Sequence, residues 1–122
     1  MTVTGPDFIA LQVRDLERAA AFYEDRLGLR RASVSPPGAI VFDTTPVSFA
    51  VRNPLPGVDL DTVDRPGLGV ALWLHSSDAQ ALHDALAAAD VPIVAPPFDS
   101  PFGRTFTFTD PDGYAIRIHD KH

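Results

Sequence analysis

The sequence predicts an α+β fold: two βαβββ repeats forming a curved mixed sheet with the helices on its convex side. Three observations predict it. Two short apolar runs rich in strand formers, FIALQV at residues 8–13 and GVALWL at residues 69–74, stand half a chain length apart, with Ala10 and Ala71 in matching places. Each run leads into apolar residues at helical spacing. The remainder of each half is cut into short strands by Pro, Gly and Asp turn signals.

The elements follow in order. Residues 8–13 form the first strand. The first helix spans residues 16–27, with Asp15 as its N-cap, Leu16, Ala19, Ala20, Tyr23 and Leu27 as one buried stripe, and Gly28 as a left-handed stop. Residues 30–35 read as a strand ending at Pro36-Pro37-Gly38. Residues 40–43 and 47–52 make a hairpin across Thr44-Thr45-Pro46. Residues 53–67 hold three prolines and two glycines among acids and read as a connector. The second half repeats the plan with a strand at 69–74 and a helix at 78–89. Ser77 and Gln80 fit a capping box, and Leu82, Ala85, Leu86 and Ala89 give the apolar face. Residues 92–95 form a short strand and 105–109 a strand with a wet threonine face. Asp110-Pro111-Asp112-Gly113 is a turn, and residues 114–119 return as the last strand. The domain organisation is one domain over residues 1–122, with halves at about 7–52 and 68–119 around the connector 53–67.

Composition narrows the functions. A chain of 122 residues with 45% hydrophobic residues can bury a core. Sixteen acidic and ten basic residues give a formal charge of -6, which repels a phosphate backbone and argues against nucleic acid. The absence of cysteine removes disulfides, thiolate metal sites and cysteine nucleophiles. No apolar run reaches membrane-span length, and the N-terminal residues lack the pattern of a signal peptide, so the expected location is cytoplasmic. No nucleophile elbow, phosphate loop or dinucleotide fingerprint is present.

Three stretches together resemble the vicinal oxygen chelate superfamily, which holds glyoxalase I, extradiol dioxygenases and the fosfomycin- and bleomycin-resistance proteins. They are FIALQVRDLERAAAFYEDRLGLR, GVALWLHSSDAQALHDALAAADVPI and PPFDSPFGRTFTFTDPDGYAIRI. The resemblance implies the fold of that superfamily and a divalent metal held by a His in the first strand, a His or Gln in the fifth and a Glu in the last. The matching positions here are Phe8, Gly69 and Arg117. Phe and Gly side chains offer no lone pair, and a guanidinium is a permanent cation. The reading is therefore of no metal and no cofactor.

Strand alternation places Phe8, Ala10 and Gln12 on the concave face, with Gly69, Ala71, Trp73 and His75 in the second half and Ala115, Arg117 and His119 in the last strand. Trp73 reads as a stacking wall for a ligand ring or as a core or interface residue. Arg117 reads as a fork for a carboxylate or phosphate, or as the partner of Asp43 or Asp99. Phe98 and Phe102, in a loop over residues 96–103, read as an aromatic lip or as a subunit contact. Among the four histidines, His83 lies in a polar helical stripe and His122 is terminal. His75 and His119 sit at strand ends, where a metal or proton-transfer role lacks a fixed carboxylate partner.

The expected ligand-binding set is Phe8, Gln12, Trp73, Phe98, Phe102, Arg117 and His119, with no metal ligand and no assigned catalytic residue. The expected function resembles that of the bleomycin-resistance proteins: metal-free binding of a small organic antibiotic or metabolite by a homodimer, without chemistry, as in drug sequestration. The alternative is a lyase or isomerase resembling glyoxalase I, with a displaced metal site or acid–base residues alone. A third reading is a protein whose role is subunit interaction.

Overall fold

In the computed structural model, which describes residues 1–121, two aspartates open the two helices in the same way. Asp15 is extended (φ −127°, ψ 108°) and its carboxylate accepts from the Arg18 amide at 3.1 Å, starting α1 over Leu16–Asp25. Asp78 (φ −150°, ψ 92°) accepts from the Ala81 amide at 3.0 Å and starts α2 over Ala79–Ala88. The cap of α2 is thus Asp78 and not Ser77, because a carboxylate one residue later reaches the third helical N–H. His122 lies outside the described residues. The chain divides into a first unit, Met1–Thr62, and a second unit that begins at Val63.

In the first unit β1 (Phe8–Gln12), β2 (Ala39–Phe42) and β3 (Ser48–Arg52) form a sheet of order β1-β3-β2. β3 runs parallel to β1 and antiparallel to β2. Ile9, Phe49 and Phe42 align across one face, as do Leu11, Val51 and Ile40. Tyr23 of α1 packs its ring 5.2 Å from Phe49 and 6.0 Å from Phe42. Val13, Ala19 and Ala20 complete the buried layer. The last turn of the helix tightens at residues 26–27. There the Leu29 amide reaches back to Tyr23 O at 3.1 Å, and Gly28 takes φ +74°, the left-handed stop read from the sequence.

The expected strand at 30–35 is reduced to one bridge, Arg31 to Phe42. The reason is local. The Val41 amide, needed to extend the ladder, donates instead to Ser35 Oγ at 3.0 Å, and Pro36 and Pro37 supply no N–H. Arg31 is also tied to α1 by Glu24 at 2.8 Å and Glu17 at 3.0 Å. The connector is more structured than its composition suggests. Leu60 is buried in a 3-10 turn, Leu60–Thr62, and Arg14 donates to Asp61 at 2.6 Å and to Leu60 O at 2.8 Å.

In the second unit β4 (Leu72–His75), β5 (Ile93–Ser100), β6 (Gly103–Thr109) and β7 (Ala115–His119) form a mixed sheet of order β4-β7-β6-β5. Leu72, Ile116, Phe108 and Ile93 align on one face, followed by Leu74, Ile118 and Phe106. Phe106, Phe108 and Ile116 are fully buried with Leu86 of α2. The helix presents Ala79, Leu82, His83 and Leu86, while Ala85 is exposed. His83 therefore belongs to the packed stripe: its ring lies 5.3 Å from Phe106, edge to face.

Most of the expected loop at 96–103 is strand. β5 is an edge strand, so Pro96 and Pro97 break no interior ladder, and register shifts between Ile93 and Phe98 absorb them. The Asp110–Gly113 turn forms as read: Asp110 Oδ1 accepts from Asp112 at 3.0 Å and Tyr114 at 2.9 Å, with Gly113 at φ +95°. Among the described residues no helix is long and apolar enough to cross a membrane.

Candidate ligand-binding site

The face of the second sheet turned away from α2 is built in two rows. Trp73, Arg117, Thr107 and Ala95 stand side by side across β4, β7, β6 and β5. His75, His119, Thr105 and Phe98 form the next row. Arg117 places its guanidinium carbon 4.9 Å from the centre of the Trp73 ring, and its Nε donates to Thr107 Oγ1 at 3.2 Å. The ring contact and the hydrogen bond through Nε restrain a long flexible side chain without using the terminal nitrogens of its fork.

The rings of Trp73 and Phe102 meet at 5.2 Å and those of Trp73 and His119 at 5.7 Å. His119 is 5.6 Å from His75 and 6.4 Å from Phe102. Trp73 remains 36% exposed, Phe98 46% and Phe102 53%, so the cluster offers apolar surface.

The hairpin after β5 brings Phe102 to the cluster. Ser100 Oγ accepts from the Phe102 amide at 3.0 Å and donates to Gly103 O at 3.1 Å. Gly103 takes φ +92°, and a Cβ there would meet Asp120 Oδ1. The Lys121 amide holds Phe102 O at 3.1 Å, and Asp120 Oδ1 accepts from the Arg104 amide at 2.9 Å. The hairpin tip is thus fastened to the segment that follows His119.

Of the expected set, the structure brings Trp73, Phe102, Arg117 and His119 into contact and puts Phe98 on the same face. Phe8 and Gln12 lie in the first unit, on the face of its own sheet opposite α1. Phe8 is 52% exposed, and Gln12 Oε1 accepts from the Leu55 amide at 2.8 Å, tying the connector. Asp99 pairs with Arg104 at 3.1 Å and not with Arg117. No carboxylate among the described residues forms an ion pair with Arg117.

Two features differ from the sequence reading. Thr105 and Thr107 are buried, not wet, because β6 is an interior strand and these short side chains sit between the longer Arg117, His119 and Phe98 of adjoining strands. Thr105 Oγ1 is satisfied by Ser100 Oγ at 2.7 Å. His75 also joins the cluster. The fixing residues Thr107, Ser100 and Asp120 were missed. Thr107 was within reach of a register argument, whereas nothing in sequence marks Asp120 as the neighbour of Gly103.

The helix caps correct the repeat. Val13 N–H bonds Arg52 O as Ser76 N–H bonds His119 O, both at 2.9 Å, so Val13 corresponds to Ser76 and Phe8 to Ala71, two positions after Gly69. Side-chain parity is unchanged. The position matching Phe8 in the second unit is thus Ala71, whose side chain, like that of glycine, offers no lone pair. Among the described residues, no group of three or more His, Cys, Asp or Glu could hold a metal ion. The residues present do not fit the divalent metal of the resembled family.

The family model described as Glyoxalase/Bleomycin resistance protein/Dioxygenase superfamily matches residues 5–118. The chain belongs to this superfamily. Among solved structures it is similar to TnmS3, an antibiotic binding protein from Streptomyces sp. CB03234. The two share 23% identity at a TM-score of 0.76, over 100% of this chain and 99% of that one. It is also similar to the fosfomycin resistance protein FosX from Mesorhizobium loti, at 19% identity and a TM-score of 0.71 over 99% and 95%. A third is a lactoylglutathione lyase from Agrobacterium tumefaciens, at 18% and 0.69 over 98% and 96%. At these identities the likeness establishes the fold of the superfamily and not a shared ligand or reaction. No protein of curated function matches the chain.

Proposed function

We propose that this chain is a metal-free binding member of its superfamily. It holds a small organic molecule, an antibiotic or metabolite, against the aromatic face of the second sheet. The observation that carries the reading is Arg117: where the family places a metal-binding carboxylate, this chain has a guanidinium seated 4.9 Å above Trp73. A cation held there disfavours a divalent metal and supplies a polar anchor beside an exposed aromatic cluster. The antibiotic-binding relative of the same fold supports the class of function. In this reading the protein sequesters its ligand and performs no reaction on it. It works in the cytoplasm as a homodimer, the second copy covering the exposed apolar surface.

Two measurements test this. Thermal-shift screening against natural products should find a stabilising ligand; a binder at 100 times its Kd adds about 2.7 kcal/mol. Elemental analysis of the purified protein should find divalent metal far below one equivalent. One equivalent of tightly held zinc, nickel, manganese or iron would overturn the metal-free reading and favour the lyase or isomerase alternative.

A further inference from the structure

The net charge of -6 would draw a cationic ligand towards the chain as a whole. The distribution of charge on the binding face points the other way. Strand register determines which residues of β4, β7, β6 and β5 share that face, and none of them is Asp or Glu. Asp99 pairs with Arg104 on the face turned to α2. Asp120 is bound to the Arg104 amide, with its second oxygen 3.4 Å from the Ala79 amide at the start of α2. Among the described residues Arg117 is the one permanent cation that strand register puts on this face, in contact with Trp73 and Thr107.

Resting on the binding function proposed above, we infer that the ligand is a planar aromatic molecule bearing an anionic group, a carboxylate or its equivalent, which pairs with Arg117. Three points support this. The Thr107 bond and the indole stack immobilise the guanidinium, so less conformational freedom is lost when its fork closes on two oxygens. One face of Trp73 is already covered by Arg117. A ligand ring therefore meets the exposed remainder of Trp73 with Phe102, and its anionic substituent falls beside the fork. Finally, a cation among apolar rings without a carboxylate partner gains most from an anion that arrives with its own apolar surface. A cationic ligand would meet Arg117 with no compensating acid on this face.

The test uses a matched pair of probes, 2-naphthoate and 2-naphthamide, which share ring and shape but differ in charge. Binding is read by calorimetry and by quenching of Trp73, the single tryptophan of the chain. Naphthoate should bind about tenfold or more tighter than naphthamide, as a charge-assisted bond of about 1.4 kcal/mol requires. Arg117→Gln should weaken naphthoate about tenfold more than it weakens naphthamide, bringing the two probes to similar affinity. Arg117→Lys, which keeps the charge but not the fork, should fall between. Equal binding of the two probes by the native protein would overturn the anionic assignment and leave the aromatic binding face standing. So would an Arg117→Gln loss that is the same for both probes. Failure of both probes to bind at millimolar concentration would overturn the binding face, and the assignment with it.

Discussion

The two units solve one folding problem alike and use the opposite face differently. In each, an aspartate caps the helix, the helix packs over an antiparallel strand pair (β2 and β3 under α1, β5 and β6 under α2), and aromatic residues fill the layer between. On the other face the correspondence ends. Where the second unit pairs Trp73 with Arg117 across parallel strands, the first pairs Ala10 with Ala50. Where the second aligns His75 with His119, the first aligns Gln12 with Arg52, and Gln12 serves the connector through Leu55. The helix-facing positions are constrained by packing density, so their apolar character persists in both halves. The opposite positions are not held by that layer, and there the first unit has Ala10 beside Ala50 and Gln12 beside Arg52, whereas the second has an aromatic cluster around Arg117.

Core truncations give the largest effects and ask whether the likeness is energetic as well as topological. Phe42→Ala in the first unit and Phe106→Ala in the second each remove a buried ring, and each should cost about 3–5 kcal/mol in denaturant unfolding. A cost below about 1 kcal/mol at either position would show that its layer is not tightly packed.

A second pair compares two left-handed glycines. Gly28 has φ +74° with nothing near a hypothetical Cβ, whereas at Gly103 the same atom would strike Asp120 Oδ1 and the Lys121 backbone. Gly28→Ala should cost about 1 kcal/mol from backbone strain alone. Gly103→Ala should cost more, about 2–3 kcal/mol, because Asp120 and the Lys121–Phe102 hydrogen bond must shift as well. It should also weaken ligand binding by displacing Phe102. Equal costs at the two sites would mean that the C-terminal segment yields freely.

The binding face itself is broken or sharpened by comparing Trp73→Ala with Phe8→Ala. Loss of Trp73 should weaken the affinity of an identified aromatic ligand by about 1–3 kcal/mol, through lost area and lost support for Arg117. Phe8→Ala should leave affinity unchanged if the second sheet alone holds the ligand. A matching loss at Phe8 would extend the site to the first unit, and no effect at Trp73 would move the site elsewhere.

These pairs also mark what the sequence could disclose. The repeat, both helices, the Asp110–Gly113 turn and the parity that puts Trp73, Arg117 and His119 on one face were legible, because period, cap and turn chemistry act over a few residues. The strand at 30–35 was misread because Ser35 Oγ takes an amide the ladder needed, a competition that propensity does not register. The strand read at 92–95 continues to Ser100, where a loop was expected, because its prolines are tolerated on an edge, and only the sheet order shows β5 to be one. The Arg117–Thr107 bond follows from the register of the hairpin that the Asp110–Gly113 turn closes, whereas the approach of Asp120 to Gly103 carries no local signal.

The smallest expected effect is the most direct test of equivalence. Asp15→Ala and Asp78→Ala each delete a carboxylate that accepts from the third helical amide, at 3.1 and 3.0 Å. Each should cost about 1 kcal/mol. Each helix start also keeps a second negative group after the substitution. In α1 it is Glu17 of the first turn; in α2, which has no acid of its own there, it is Asp120, whose Oδ2 lies 3.4 Å from the Ala79 amide. These residual charges act on the same end of the helix dipole, so the two costs should agree within about 0.5 kcal/mol. Amide exchange in each helix reads the two losses separately. A markedly smaller loss at Asp78 would mean that Asp120, fixed by its bond to Arg104, already secures the start of α2. The cap would then be shared between the helix and the segment that anchors Phe102, which would tie the stability of α2 to the geometry of the binding face.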